Sequence, residues 1–257
     1  MSDTPMPLTG HLAELRDRLI RAIIILSVGF AFCYYFRETL FELLKMPMNY
    51  RIQLSFGNPF ATFIKRETPY NLYFTTPAEA FWMYMKAALI AGAIVTFPLI
   101  LWQIWKFIAP ALHDREKKFA FLFVGTSTVM FYLGLLFCFF FILPFAMEFL
   151  LGFTDTLIPM ITVGSYVDFC LKFFIAFGVI FELPVIIVIL TRMGIVSPRW
   201  LAGKRPHAAV AAFIIAAFLT PTPDAFNQTL MAVPIIILYE SGIWASRLLW
   251  REKKPDG

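Results

Sequence analysis

The sequence predicts an all-α integral membrane protein with six transmembrane helices. The first observation is composition, because 60% of its 257 residues are hydrophobic and only 15% are charged, with a mean hydropathy of +0.73. Soluble domains are nearer half apolar and a quarter charged. The second observation is that most of the 22 Lys and Arg residues fall at the two ends of the chain and in two loops. Together these features exclude a soluble enzyme.

The distribution of positive charge predicts the topology. Loops rich in Lys and Arg stay on the cytoplasmic side of a membrane. The connections 102–118 and 192–205 are basic, as are both ends of the chain, whereas the loop 146–165 contains no Lys or Arg. The long segment 37–77 contains basic residues, but it also contains acids. We therefore predict that the N-terminus and the C-terminus both lie inside.

Residues 8–19 predict a short amphipathic helix that precedes the first span. Leucines at steps of three and four residues share one face: Leu8, Leu12, Leu15 and Leu19. Polar side chains share another face: His11, Glu14 and Arg18. This pattern fits a solvated helix lying on the membrane surface, and it fits equally a helix that presents Glu14 to a ligand.

The apolar runs place the spans in one polytopic membrane domain, residues 1–257. The predicted spans are about 20–36, 80–104, 119–145, 166–190, 208–219 and 226–245. The aromatic, Pro-rich segment 37–77 predicts an ordered cap on the outer face. Its end fits a helix start, with Thr76 as N-cap, Pro77 at the first position and Glu79 in the first turn.

The last two predicted spans are short. Twelve residues of helix reach only about 18 Å, whereas the hydrocarbon core is about 30 Å thick. Such a mismatch is relieved by a thinner bilayer, by water or by a partner that covers the gap. We interpret the short spans as functional.

The stretch 102–118 combines basic residues with one acid and an apolar surface. Trp102 and Trp105 stand where an aromatic belt at the membrane surface is expected. Glu116 follows an apolar run that includes Phe107 and Leu112. A carboxylate beside such a surface can bind a ligand that is both cationic and apolar.

Two ionisable residues, Lys172 and Glu182, lie inside the fourth span. An acid near the middle of a span costs about 2.5 to 3.5 kcal/mol, so such acids usually face protein or water. The two residues are about 15 Å apart along a straight helix, too far for a direct pair. Glu182 is either a structural hydrogen-bonding acid or part of a polar cavity. Asp224 stands where the sixth span needs an N-cap.

No pattern for catalysis, metal or cofactor binding was found. The three histidines map to the inner edge or to loops, which leaves no intramembrane pair for haem. Gly203-Lys204 lacks the upstream glycine of a phosphate-binding loop. The cysteines fall inside apolar runs and are interpreted as small buried hydrophobes: Cys33, Cys138 and Cys170.

Four separated motifs resemble the TatC family, the multispanning subunit of the twin-arginine protein translocase. They are HLAELRDRL, WKFIAPALHDREKK, FGVIFELPV and LTPTPDAFNQT, and the resemblance covers essentially the whole chain. It implies a concave, glove-like receptor in the bacterial cytoplasmic (inner) membrane that binds signal peptides with two adjacent arginines. Cargo proteins would be exported in the folded state, with energy from the proton motive force. Small single-span TatA/TatB-type subunits would be the partners, and the chain would form homo-oligomers within a larger complex.

The resemblance also implies roles for particular residues. Glu14 and Glu116 would bind the arginine pair, with Phe107 at the border and His11 and Arg16 in the same site. Glu182 would line the concave membrane face, with Lys172 as the second intramembrane polar residue. Near the short spans, three residues would dock partner subunits: Thr220, Asp224 and Gln228. Pro47 falls where the family has a functionally sensitive outer proline.

Two alternatives remain open from the residues themselves. A secondary transporter of a small solute would use Glu182 and Lys172 as coupling residues, and a scaffold subunit would need neither Glu14 nor Glu116. If the chain is the receptor, two acids on the inner surface suit two arginines better than two lysines, since a guanidinium meets a carboxylate with two parallel hydrogen bonds that an ammonium cannot make.

Overall fold

The computed structural model describes residues 8–54, 61–65, 71–108, 120–152, 159–220 and 224–249. Among these residues, five helices are long and apolar enough to cross a membrane: Leu12–Tyr35, Pro77–Phe107, Phe121–Leu151, Val163–Arg192 and Ala225–Leu249. The chain is therefore an all-helical membrane protein. It divides into two compact units. Unit 1 comprises Met1–Leu44, Tyr73–Thr128 and Thr162–Val167, and unit 2 comprises the remainder.

The helices and strands follow one another along the chain. The first half contains α1 (Leu8–Tyr35), α2 (Arg37–Asn49), β1 (Tyr50–Leu54), β2 (Ala61–Lys65), β3 (Leu72–Tyr73) and α3 (Pro77–Ile108). The second half contains α4 (Ala120–Phe137), a π-helical segment (Cys138–Ile142), α5 (Leu143–Leu151), β4 (Ile161–Thr162), α6 (Val163–Ile180), α7 (Leu183–Arg192), α8 (Pro198–Gly203), α9 (Arg205–Leu219) and α10 (Ala225–Leu249). Strands β1 and β2 form an antiparallel hairpin in which Tyr50 pairs with Lys65.

The prediction of a separate amphipathic helix over 8–19 was wrong. Helix α1 continues without interruption from Leu8 to Tyr35. Between His11 and Val28 the chain contains neither Gly nor Pro, so nothing interrupts the backbone hydrogen bonds where the surface pattern becomes fully apolar. The amphipathic segment is therefore the first part of the first span.

Within unit 1, α1 packs against α3 at a crossing formed by two glycines. A Cβ atom on Gly92 would lie 2.6 Å from the backbone nitrogen of Phe30, and one on Gly29 would lie 2.9 Å from the carbonyl oxygen of Gly92. Small residues of this kind let the backbones of membrane helices approach closely. The crossing fixes the position of α1 relative to α3.

The predicted start of α3 is confirmed, with Pro77 as its first residue. The Glu79 carboxylate accepts hydrogen bonds from the backbone nitrogen of Thr75 (2.7 Å) and from that of Gly164 (2.8 Å). The Thr75–Glu79 hydrogen bond resembles that of a capping box, in which an acid in the first turn reaches back to a donor before the helix. The second bond of Glu79 also attaches the start of α3 to the start of α6.

In the third span, a π-helical segment separates α4 from α5. Pro144 lacks a backbone N–H, and its ring would clash with the carbonyl four residues earlier in a regular helix. The wider turn over Cys138–Ile142 removes that clash, and the Leu143 amide donates to the carbonyl of Cys138. The span extends to Leu151, six residues beyond the predicted end near 145.

The fourth span is interrupted at Phe181 and Glu182, between α6 and α7. Pro184 causes this break, because it cannot donate to the carbonyl of Ile180. Helix α7 ends at Arg192, and Gly194, two residues further on, has a positive φ of 73°. The Gly194 amide donates to Thr191, and the Ile195 amide donates to Leu190, the two bonds of a Schellman motif.

The prediction that the last two spans are both short was half wrong. Helix α9 has 15 residues and reaches about 22 Å, less than the hydrocarbon thickness of about 30 Å. Helix α10 has 25 residues and reaches about 37 Å, enough to cross. The Arg205 guanidinium on α9 and the Glu240 carboxylate on α10 form a bidentate pair, with 2.9 Å between Nη2 and Oε2.

Candidate functional site

Glu14 lies in the second turn of α1. Its Oε1 atom accepts a hydrogen bond from Nη2 of Arg18, one turn further along, at 3.1 Å. Both side chains are about one-fifth exposed, 22% for Glu14 and 21% for Arg18. A Glu that precedes an Arg by four residues is the favourable order for such a pair. The acid is therefore accessible and already bound to an internal guanidinium.

The same guanidinium connects α1 to α3. Nη1 of Arg18 lies 3.5 Å from Oε1 of Gln103, a contact between residues 85 positions apart. Gln103 stands one turn before Phe107 on the same side of α3. The structure therefore brings Glu14, Arg18 and Gln103 together near the end of α3 that carries Phe107. Sequence analysis did not single out Gln103. Its four-residue spacing from Phe107 could have indicated it, because residues at that spacing share a helix face.

Aromatic residues surround the end of α3. Phe107 is partly buried, and the Lys106 ammonium lies 5.2 Å from the centre of the Trp102 ring. Trp105 was predicted in a surface belt, but it is only 6% exposed and its ring lies 5.4 Å from that of Phe123. Since α4 covers Trp105, that prediction was wrong. Trp102 and Phe107 remain as the partly exposed aromatic residues of this turn.

The structure tests the other predicted receptor residues only in part. Arg16 is exposed and pairs with its neighbour Asp17 at 3.1 Å. The backbone of His11 belongs to α1, but its side chain lies outside the described residues, as does all of Glu116. Whether these three residues join Glu14 stays a prediction.

The geometry around Glu14 suits a cationic ligand. A carboxylate accepts two parallel hydrogen bonds from a guanidinium, and charge-assisted bonds are about twice as strong as neutral ones. The Arg18 contact shows that a guanidinium fits against Glu14 in this position. Phe107 is an apolar side chain one turn beyond Gln103.

The two ionisable residues singled out in the fourth span lie in unit 2. Lys172 is exposed on α6, and Glu182 is partly buried at the break between α6 and α7. The Glu182 amide donates to the carbonyl of Val179 at 3.1 Å, and its carbonyl accepts from Ile186. Glu182 therefore stands where Pro184 interrupts the helix. Among the described residues, no three His, Cys, Asp or Glu side chains are grouped closely enough to hold a metal ion.

The three residues near the end of α9 have separate local roles. The Asp224 carboxylate accepts from the backbone nitrogen of Asn227 at 2.7 Å, which confirms that it caps α10. The Thr220 hydroxyl is buried and donates to the carbonyl of Ala216. Gln228 donates from Nε2 to the carbonyl of Phe213 at 3.0 Å.

Gln228 also borders an open apolar groove along α9. The groove has a volume of about 610 Å³. Its lining residues include Val210, Phe213, Ile214, Ala217, Phe218 and Gln228. Pro47 lies elsewhere in unit 2, buried in the last turn of α2, where it lines a cavity of about 200 Å³ together with Phe139 and Pro144.

Comparisons with known proteins place this geometry in context. Residues 10–234 match the family model described as Sec-independent protein translocase protein (TatC). The chain is 40% identical over 253 residues to the protein of that name from Aquifex aeolicus, covering 97% of this chain and 98% of the relative. It is 38% identical to the Escherichia coli protein, covering 94% and 88%.

A solved structure is similar over nearly the same length. The crystal structure of a twin-arginine translocase receptor, TatC, superposes with a TM-score of 0.77 at 36% identity. The superposition covers 92% of this chain and 99% of that one.

Proposed function

The chain belongs to the TatC family and is the receptor subunit of the twin-arginine translocase, and from this premise we propose how it recognises its ligand. It is accordingly a multi-pass membrane protein that functions in protein transport, and it is not an enzyme. Membership of this family removes the small-solute transporter as an explanation of the intramembrane charges.

The ligand is a signal peptide with two adjacent arginines, and Glu14 binds one of them. The main support for this proposal is the Glu14–Arg18 contact at 3.1 Å, in which a guanidinium already binds the carboxylate. Phe107 supports the apolar stretch of the peptide that follows the arginines. Glu116, which follows Phe107 by nine residues in the chain, binds the second arginine, and His11 and Arg16 lie at the edge of the site.

The proposed topology has six spans, with both ends in the cytoplasm of a bacterium and the protein in its inner membrane. Helix α9 is the sixth crossing segment, although its length of about 22 Å requires a thinner bilayer or a covering partner. The basic residues support this arrangement, because those of 102–118 and 192–205 then face the cytoplasm together with both termini.

Small single-span subunits of the TatA/TatB type dock along α9. The apolar groove beside Gln228 supports this proposal, since an exposed apolar surface next to a polar side chain can orient a partner helix. Thr220 and Asp224 stabilise the end of α9 and the start of α10 through their bonds to Ala216 and Asn227. The assembled complex contains several copies of the chain and uses the proton motive force.

The remaining predicted residues support the receptor from unit 2. Glu182 and Lys172 provide polar groups within the fourth span, and Pro47 shapes the end of α2 on the outer side. None of these three contacts the signal peptide's arginines in this proposal.

Peptide binding to the purified protein in detergent tests the proposal. Arg-Arg and Lys-Lys versions of one signal peptide are compared in wild type, Glu14→Gln and the control Glu38→Gln, an exposed acid on α2. Loss of a charge-assisted hydrogen bond costs about 1.5–3 kcal/mol, so Glu14→Gln is expected to weaken Arg-Arg binding at least about tenfold. Unchanged Arg-Arg binding by a folded Glu14→Gln protein would refute the role of Glu14.

A further inference from the structure

We propose that Arg18 is an internal competitor for Glu14, and that a signal-peptide arginine must displace it in order to bind. The inference rests on the proposed function, because it takes Glu14 as a receptor acid. It adds a residue that sets the affinity of the site without being part of the ligand contact itself. Three features of the Glu14–Arg18–Gln103 group support it.

The first feature is the incomplete use of the Glu14 carboxylate. Arg18 donates from Nη2 to Oε1 only, and the described residues provide no other hydrogen bond to this side chain. An arriving guanidinium can form its two parallel bonds only if it takes both oxygens. The incoming arginine therefore needs the oxygen that Arg18 occupies.

The second feature is the repulsion between like charges. A peptide guanidinium bound to Glu14 would lie within a few ångströms of the Arg18 guanidinium, where two positive charges repel each other. One carboxylate cannot neutralise both cations, so a bound peptide guanidinium disfavours the Glu14–Arg18 contact.

The third feature is the second acceptor within reach of Arg18. Oε1 of Gln103 lies 3.5 Å from Nη1, at the outer limit of hydrogen-bond distance. Once released from Glu14, the guanidinium can shorten this contact and remain bound to α3. Because Gln103 is neutral, it accepts the displaced cation without holding it as strongly as a carboxylate would. Exchange between the two acceptors is then reversible.

Competition of this kind lowers the affinity of both ligands by the same factor, because each must displace the same Arg18 contact. A peptide lysine offers a compact ammonium without a planar fork, so it replaces the single Arg18 contact with another single contact and gains little. A peptide arginine replaces it with two parallel bonds and gains one. The preference for arginine therefore comes from the planar fork, and the internal guanidinium sets how tightly either ligand binds.

The experiment measures the affinities of Arg-Arg and Lys-Lys peptides for Arg18→Gln by calorimetry in detergent. The matched control is Arg21→Gln, which removes the same charge from the same helix at an exposed position. Because i,i+4 ion pairs are weak, Arg18→Gln is expected to tighten the binding of both peptides by the same factor, about two- to threefold. Arg21→Gln is expected to change both affinities by a smaller factor.

A second substitution tests the role of Gln103. Gln103→Leu removes the alternative acceptor, so it is expected to weaken Arg-Arg binding in the wild-type background and to have no effect in Arg18→Gln. Additive effects of the two substitutions would overturn the exchange between acceptors. If Arg18→Gln does not fold, Arg18→Lys answers the same question, since lysine competes less well for Glu14 and is also expected to tighten the binding of both peptides.

Glu14→Gln in the same series separates this inference from the proposed function. Loss of Arg-Arg binding in Glu14→Gln, with Arg18→Gln indistinguishable from Arg21→Gln, would refute the competitor and leave the receptor acid in place. Wild-type binding by Glu14→Gln would refute both. Weaker binding of both peptides by Arg18→Gln would instead identify Arg18 as a positive contributor, and would also overturn the proposal.

Discussion

Substitution of Gly92 by alanine tests whether the crossing of α1 and α3 determines the stability of unit 1. The new Cβ would lie 2.6 Å from the backbone nitrogen of Phe30 and 2.8 Å from the carbonyl carbon of Gly29. Both obstacles are backbone atoms, which cannot rotate away. Since non-bonded atoms prefer about 3.5–4.0 Å, α1 must retreat by about 1 Å.

The cost of this displacement follows from overpacking in well-packed interiors, typically about 1–3 kcal/mol. For a protein of this size that corresponds to a decrease in Tm of about 2–12 °C. The measurement is thermal unfolding in detergent, followed by tryptophan fluorescence. The control is Gly125→Ala, because a Cβ there meets no atom within 4 Å. Both variants gain helix propensity, so the difference between them isolates the steric effect.

A reciprocal test starts from the other glycine of the crossing. A Cβ on Gly29 would lie 2.5 Å from the Thr96 Cγ2 methyl and 2.9 Å from the Gly92 carbonyl oxygen. Thr96→Ser deletes that methyl and keeps the hydroxyl, which donates to Gly92. Thr96→Ser should therefore partly rescue Gly29→Ala but not Gly92→Ala. A Tm for Gly92→Ala equal to that of Gly125→Ala would refute the steric reasoning.

Two further substitutions probe single contacts. Tyr166→Phe removes the hydrogen bond that the buried hydroxyl donates to the Leu44 carbonyl at 2.6 Å. The free energy of unfolding should fall by about 0.5–1.5 kcal/mol. The control Tyr73→Phe changes an exposed side chain and should leave the free energy of unfolding unaltered. Gly194→Ala places a side chain at φ 73° and should cost about 1–2 kcal/mol, with Gly194→Asn milder. Equal unfolding free energies for the alanine and asparagine variants would contradict a backbone origin for that effect.

The sequence predicted the features that depend on local chemistry. Hydropathy located all five long spans, because burial in a bilayer requires apolar side chains whatever the tertiary packing. Pro77 and Asp224 marked the starts of α3 and α10 correctly, since both act through backbone groups within one helical turn. These signals need no knowledge of the neighbouring helices.

Features that depend on packing between helices could not be predicted. Tryptophan is the residue type expected in an aromatic belt, and Trp105 is buried only because α4 packs over it. The carbonyl of Leu44 gives no sign in the sequence that Tyr166 will donate to it. The link between Arg18 and Gln103 crosses 85 residues, and its existence depends on the glycine crossing that sets the distance between α1 and α3.

The π-helical segment also changes which residues of the third span share a helix face. A regular helix advances 100° per residue, whereas one π turn accommodates an additional residue before the same direction returns. Side chains of α5 therefore point about a quarter-turn away from the directions that extrapolation from α4 would give. Met147 and Ala146 are buried on this shifted face. Deleting one residue between Cys138 and Ile142 would convert the π turn into a regular α-helical turn and leave the α5 side chains pointing in their present directions.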